Sequence, residues 1–145
     1  MVETDILILV AGRGQRLKPY TDKIPKFLLP INGKTIMDYQ FNIYKQFDIR
    51  NISLVTGYMH NKFEIFNLDT YYNSSWENTN MIFSIECAKD MLHRDGNLII
   101  IYSDIVFKKN VFEKLLFSEF DDVIIQDKNW KLLWEKRFDN PLHDA

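Results

Sequence analysis

Ile6-Leu7-Ile8-Leu9-Val10-Ala11-Gly12-Arg13-Gly14-Gln15-Arg16-Leu17 decides the fold: an unbroken apolar run opens into a glycine-bearing basic loop. Apolar residues in succession, rather than in alternation, suit a strand buried on both faces, as in a parallel sheet. Gly12 and Gly14 then let the backbone turn tightly and pass close to a ligand. Cations follow at once. Between Arg13 and Lys34 six basic residues (Arg13, Arg16, Lys18, Lys23, Lys26, Lys34) stand against one acid, Asp22. This segment carries +5 on a chain of net charge −2, so the remainder is near −7. Positive charge confined to one loop points to phosphates on a small ligand, not to a nucleic-acid surface, which needs a basic face of domain size.

Working outward, 145 residues with 46% hydrophobic content form one domain with ample material for a core. The single cysteine, Cys87, excludes an intramolecular disulfide and a thiol-built zinc site, and fits a reducing, cytoplasmic setting. Residues 1–5 lack the basic flank of a signal peptide. No apolar run approaches the roughly 20 residues of a membrane span, so a soluble protein without membrane contact is expected.

The opening run predicts a strand over 5–10 and a loop over 11–32, stiffened by Pro19, Pro25 and Pro30. Gly33 marks a turn. Ile36, Tyr39, Ile43 and Phe47 recur at helical spacing and predict a helix over 35–47. The β-branched run Ile52–Tyr58 reads as a second strand, with a loop or short helix to about 66. Residues 69–73 form a short third strand, and the polar stretch 73–80, with Trp76 in its midst, a loop. Met81, Ile85, Ala88 and Leu92 line a helix over 80–93, capped by Asn78 or Thr79, with Cys87 in core packing. Asn97–Tyr102 is a strand ending at Ser103-Asp104. Asn110 and Glu113 read as a capping box for a helix to about 117, Asp122–Gln126 as a further strand, and Trp130–Ala145 is aromatic and charged without a period. The βαβ alternation gives a doubly wound α/β domain: a mainly parallel sheet with helices on both faces.

Two common phosphate motifs are excluded. Gly12-x-Gly14 is followed by Leu17 where the dinucleotide fingerprint needs glycine, and Gly33-Lys34-Thr35 has Leu28 where a Walker motif needs its first glycine. A wider pattern fits: Leu9-x-Ala11-Gly12-x-Gly14-x-Arg16-Leu17, then Pro19, Thr21, and Pro25-Lys26-x-Leu28-Leu29-Pro30-x-x-Gly33-Lys34. It resembles the nucleotidyltransferase family of nucleoside-diphosphate-sugar pyrophosphorylases, most closely the cytidylyltransferases acting on phosphocholine or aminoethylphosphonate; Val10 departs from the more usual alanine. The resemblance implies a Rossmann-like (GT-A-like) fold. It also implies Mg²⁺-dependent transfer of a nucleotidyl group, with CTP the preferred donor, to a small phosphorylated acceptor, releasing pyrophosphate. A sugar-1-phosphate enzyme using UTP or dTTP, and a catalytically incomplete nucleotide-binding domain, are the alternatives. Family members continue beyond the equivalent of residue 145, so residues 1–145 correspond to a single, N-terminal nucleotide-binding part of a longer fold, truncated at its carboxyl end.

On that resemblance Leu9, Ala11, Gly12 and Gly14 wrap the nucleotide, while Arg16 and Lys26 hold the phosphates and the departing pyrophosphate. Transfer at the α-phosphorus concentrates negative charge, so cations in a stiff loop are the residue types it requires. Solvated loop charge is the competing reading, and it is preferred for isolated lysines. Asp104, after the strand 97–102, resembles the family's Mg²⁺ ligand; Mg²⁺ uses one or two carboxylates together with substrate phosphates, and turn capping is the other reading. The segment with Asn80 and Ser84 resembles the family's region beside the base, where an amide and a hydroxyl suit the edge of cytosine; capping of the following helix by Asn78 or Thr79 explains the segment equally well. Tyr58 and Trp76 either pack in the fold or face a cationic head group. His60, His93 and His143 share no metal-ligand spacing. Trp130, Trp134 and Phe138 would suit a contact between copies in a homo-oligomer.

Overall fold

The structure, a computed structural model, describes residues 2–136, 138 and 139. The predicted features at Asn140–Ala145, including His143, lie outside the described residues. The described residues form two compact units, divided after Lys108.

The first unit is built on a parallel four-stranded sheet. Strand β1 (Thr4–Leu9) lies between β4 (Asn51–Thr56) and β6 (Asn97–Tyr102), and β5 (Asp69–Tyr72) adds to the far side of β4, giving the order β5-β4-β1-β6. Ile6 pairs with Ile52 and Ile99, and Leu9 with Val55 and Tyr102. The continuous apolar character of β1 follows from this central place: every one of its six residues is buried.

Between β1 and the first helix lie three 3₁₀ turns (Gln15–Leu17, Tyr20–Asp22, Lys26–Leu28) and an antiparallel ribbon of β2 (Pro30–Ile31) and β3 (Lys34–Thr35). The predicted stiff loop thus carries regular local structure. Helix α1 (Ile36–Tyr44) starts at a capping box: Thr35 accepts from the Asp38 amide, and the Asp38 carboxylate accepts from the Thr35 amide. The Thr35 amide, and after it the Thr35 hydroxyl donating to Asp38 Oδ2, hold the Asp38 carboxyl below its ordinary value. The face α1 buries is Ile36, Met37, Gln40 and Tyr44; Tyr39, Ile43 and Phe47, expected to lead it, are half-buried.

After β4 a 3₁₀ helix (His60–Phe66) leads to β5. The predicted helix over 80–93 is α2 (Met81–Cys87) followed by a 3₁₀ stretch (Lys89–His93). Its N-cap is Asn80, not Asn78 or Thr79: Asn80 Oδ1 accepts from the amides of Ile82 and Phe83. Leu7, Leu9, Val55, Ala88 and Met91 form a core cluster on which Ile85, Cys87, Leu98 and Tyr71 pack. Burial pushes the Cys87 thiol up, as suits a packing residue.

In the second unit α3 (Lys109–Leu116) begins at Lys109, so Asn110 sits inside the helix and the expected Asn110–Glu113 capping box is absent; Glu113 pairs with Lys109 instead. Residues 122–126, predicted as a strand, are irregular. Helix α4 (Trp130–Trp134) stacks Trp130 edge-on against Trp134, which meets Phe138. Among the described residues no helix is long and apolar enough to cross a membrane.

Candidate functional site

In a parallel sheet all carboxyl ends face the same way. The chain moves from β1 outward to β4 and β5, then returns past β1 to β6, so the strand order reverses between β1 and β6. Right-handed crossovers put successive helices on opposite faces at such a reversal and leave a crevice outside the two carboxyl ends. The glycine loop leaves one of these ends and Ser103-Asp104 the other.

Lys26 Nζ donates to Asp104 Oδ2 at 2.9 Å, joining residues 78 positions apart. The Lys26 side chain is 20% exposed and that of Asp104 49%, so this ion pair is half-solvated and contributes at most about 1 kcal/mol. An arriving phosphate or cation can replace it at small cost. The path of Lys26 depends on Gly14, which has φ +68°; a Cβ there would stand 3.2 Å from Lys26 Cδ. Thr21 Oγ1 donates to the Gly14 carbonyl at 3.1 Å and keeps the turn closed.

Arg13 is held on two sides. Its Nη2 donates to Asp22 Oδ1 at 2.9 Å, and its guanidinium lies over the Tyr58 ring, 5.2 Å from the centroid. The Tyr58 hydroxyl donates to the Thr21 carbonyl at 2.8 Å, and the ring meets Trp76 edge-on at 5.3 Å. Arg13 Nε is buried without a hydrogen-bond partner among the described residues. A buried N–H in this state is costly unless a ligand accepts from it. The Arg13 residue lines an open cleft of about 470 Å³ together with Gly12, Gln15, Trp76, Glu77 and Asn78.

The remaining predicted residues are placed as follows. Leu9 and Ala11 are buried at the end of β1, with the Ala11 carbonyl accepting from the Tyr58 amide, and Gly12 is exposed on the cleft wall. Arg16 is exposed on the turn Gln15–Leu17. Asn80 is exposed and its Oδ1 caps α2, while Ser84 is buried, accepts from Asn73 Nδ2 at 3.1 Å, and donates to the Asn80 carbonyl. Lys26 and Asp104 are thus brought together, and the glycine loop shares a cleft with the Trp76–Asn78 segment. Sequence reasoning counted Arg13 only among the loop cations, left Tyr58 between packing and a cationic head group, and gave Gly57 and Thr21 no role of their own; the signal available was Gly57-Tyr58 directly after a buried strand, where loops of a parallel sheet meet ligands.

Asp104 offers one exposed carboxylate, and among the described residues no group of three or more His, Cys, Asp or Glu side chains could hold a metal ion. A single hard oxygen beside a phosphate-binding loop fits Mg²⁺, which completes its shell with phosphate oxygens and water, and does not fit a closed structural metal site.

Known proteins match this chain. Residues 6–137 match the MobA-like NTP transferase domain. The chain is 37% identical over 150 residues to the CTP:phosphoglutamine cytidylyltransferase of Campylobacter jejuni, which covers 96% of this chain and 58% of that protein. It is 33% identical over 110 residues to the choline-phosphate cytidylyltransferase of Haemophilus influenzae, covering 73% of this chain and 46% of that one. Among solved structures, the CTP:phosphocholine cytidylyltransferase from Streptococcus pneumoniae superposes with a TM-score of 0.67 at 28% identity, over 74% of this chain and 48% of that one. The inositol-1-phosphate CTP transferase from T. maritima shares the fold, with a TM-score of 0.66 at 19% identity over 83% of this chain and 51% of that one. The chain spans about half the length of the relatives it matches. The match over residues 6–137, most of the chain, shows its family: it belongs to the MobA-like NTP transferase domain proteins.

Proposed function

We propose that this chain carries the triphosphate-binding part of a cytidylyltransferase that moves CMP from CTP to a small phosphorylated acceptor. The observation that carries the reading is the Lys26–Asp104 pair at the β1/β6 crevice, beside a glycine loop whose Arg13 holds an unanswered N–H. CTP is preferred because the relatives quoted above are cytidylyltransferases.

In the proposed reaction an acceptor oxygen bonds to the α-phosphorus in line with the β-phosphate oxygen, that P–O bond breaks, and pyrophosphate departs with the electron pair. No covalent enzyme intermediate is involved. The chain's own part is to bind, align and neutralise charge. Lys26 leaves Asp104 for the phosphates, Arg16 meets the pyrophosphate, and backbone amides at Ala11, Gly12 and Gly14 face phosphate oxygens. Asp104, freed of Lys26, would hold Mg²⁺; when bound, the ion neutralises phosphate charge and orients the triphosphate. The amide NH₂ of Asn80, opposite its capping oxygen, is the end left to a base. Ser84 acts on the base only through Asn80.

Pyrophosphate release, measured with CTP, UTP, dTTP and GTP against phosphorylated acceptors, tests the assignment. Turnover with CTP supports it. Turnover only with UTP or dTTP and a sugar 1-phosphate moves the chain to the alternative enzyme class, and CTP binding without turnover for any acceptor makes it a nucleotide-binding part. In the active protein Lys26→Ala should lower kcat/KM by about 100-fold or more; full activity in that variant removes Lys26 from its role.

A further inference from the structure

Gln40 is a polar side chain in the buried face of α1, 1% exposed between Ile36, Met37 and Tyr44. Its Nε2 donates to the carbonyl oxygens of Tyr102 at 3.0 Å and Ile105 at 2.8 Å, and its Oε1 accepts from the Tyr44 hydroxyl at 2.9 Å. The bonds fix the amide's orientation without ambiguity. Carbonyl oxygens only accept, so only the NH₂ end can face them, and the Tyr44 hydroxyl, one helical turn along, answers the remaining oxygen.

The two carbonyls bracket Ser103-Asp104. The β1 ladder ends at the Leu9–Tyr102 pair, so the turn that follows leaves the sheet without strand partners. The Tyr102 and Ile105 carbonyls take a donor from outside the sheet. Gln40 answers one on each side of Asp104, and so spans the turn. An apolar residue would fill α1's buried face without desolvating an amide, and a buried amide left unpaired costs about 1–3 kcal/mol. The amide is therefore matched to this turn and not to packing alone.

We propose that Gln40 is a positioning residue that fixes the turn presenting the Asp104 carboxylate to the Lys26 side of the crevice, with Tyr44 fixing Gln40 in turn. The proposal rests on the Mg²⁺ and triphosphate role given to Asp104 above. Partners that orient a metal-binding carboxylate typically carry a tenfold to hundredfold share of metal affinity.

The full chain with Gln40→Met removes both donors at similar volume, and Tyr44→Phe removes only the hydroxyl that orients the amide. Mg²⁺ affinity is measured by calorimetry with CTP present, CTP binding without Mg²⁺ is the control, and hydrogen exchange is read over residues 101–106 and over β1. For Gln40→Met the Mg²⁺ dissociation constant should rise about tenfold, CTP binding without Mg²⁺ should be unchanged, and exchange should quicken over 101–106 but not over β1. Tyr44→Phe should shift the same quantities in the same direction by less. A folded Gln40→Met protein with wild-type Mg²⁺ affinity and wild-type exchange overturns the proposal; if that variant does not fold, wild-type values in Tyr44→Phe overturn it. Failure of the wild-type chain to bind Mg²⁺ with CTP sinks the transferase reading instead, and the exchange data separate the two failures.

Discussion

Gly57 leaves no room for a side chain. A Cβ at this position would stand 2.6 Å from Trp76 Cβ and 2.8 Å from the Ala11 carbonyl oxygen, and neither is the far end of a flexible group. Gly57→Ala should therefore push Trp76 off the end of β4, cost about 1–3 kcal/mol by thermal unfolding, and weaken nucleotide binding by distorting a cleft wall. Wild-type stability with wild-type binding would show that Trp76 moves freely. The residue-scale chemistry was partly legible beforehand. The glycines and cations of the loop advertise themselves by type, whereas Lys26 and Asp104 were given separate roles on resemblance alone and their pairing, across 78 positions, was not foreseen. The Arg13–Tyr58–Trp76 arrangement was not legible, because no local spacing connects a loop cation to a ring on the neighbouring strand's exit.

Strands and helices were legible to the extent that their causes are local. The apolar runs of β1 and β6 name themselves, since a strand buried on both faces has no polar face to show. Residues 122–126 carry the same β-branched signature yet form no strand, because a ladder needs a neighbour and the run says nothing about one. The phase of α1 was misjudged for a related reason: a buried Gln reads as polar until its partners on β6 and the following turn are known. Boundaries can be tested directly. Asn80→Ala removes the acceptor for the Ile82 and Phe83 amides and should cost about 1 kcal/mol of stability, while Asn78→Ala should leave the melting temperature unchanged. Equal losses in both would return the helix start to the earlier position.

At the scale of the whole molecule, the amino ends of the strands are held by charge. Arg50 donates Nε and Nη2 to the two carboxylate oxygens of Asp5 at 2.8 and 2.7 Å, and it also reaches Glu3 and the Asp95 carbonyl, so one guanidinium ties β1 to the approaches of β4 and β6. The Asp5 side chain is 2% exposed. Hydrogen bonding from Arg50 outweighs burial, which acts in the opposite sense, and with the charges of Arg50 and Arg94 it holds the Asp5 carboxyl below its usual 3.8. A lowered folded value stabilises fully above 3.8 and is lost as pH falls through that lowered value. Arg50→Met, which leaves the buried Asp5 carboxylate only Arg94 at 3.8 Å, should melt well below wild type at pH 7, with the gap closing as pH falls from 3.8 through the lowered value; a gap independent of pH would show that Asp5 is not the group responsible. The same parallel alignment sends every carboxyl end to the opposite edge. Six residues, Ile6 to Ala11, about 20 Å of extended chain, separate the Asp5 rivet from Gly12 at the head of the glycine loop. Stability and chemistry are thus written at different ends of the same strands, and sites this far apart change independently. A lineage can exchange loops at one edge to try new nucleotides and acceptors while the charged edge keeps the sheet assembled.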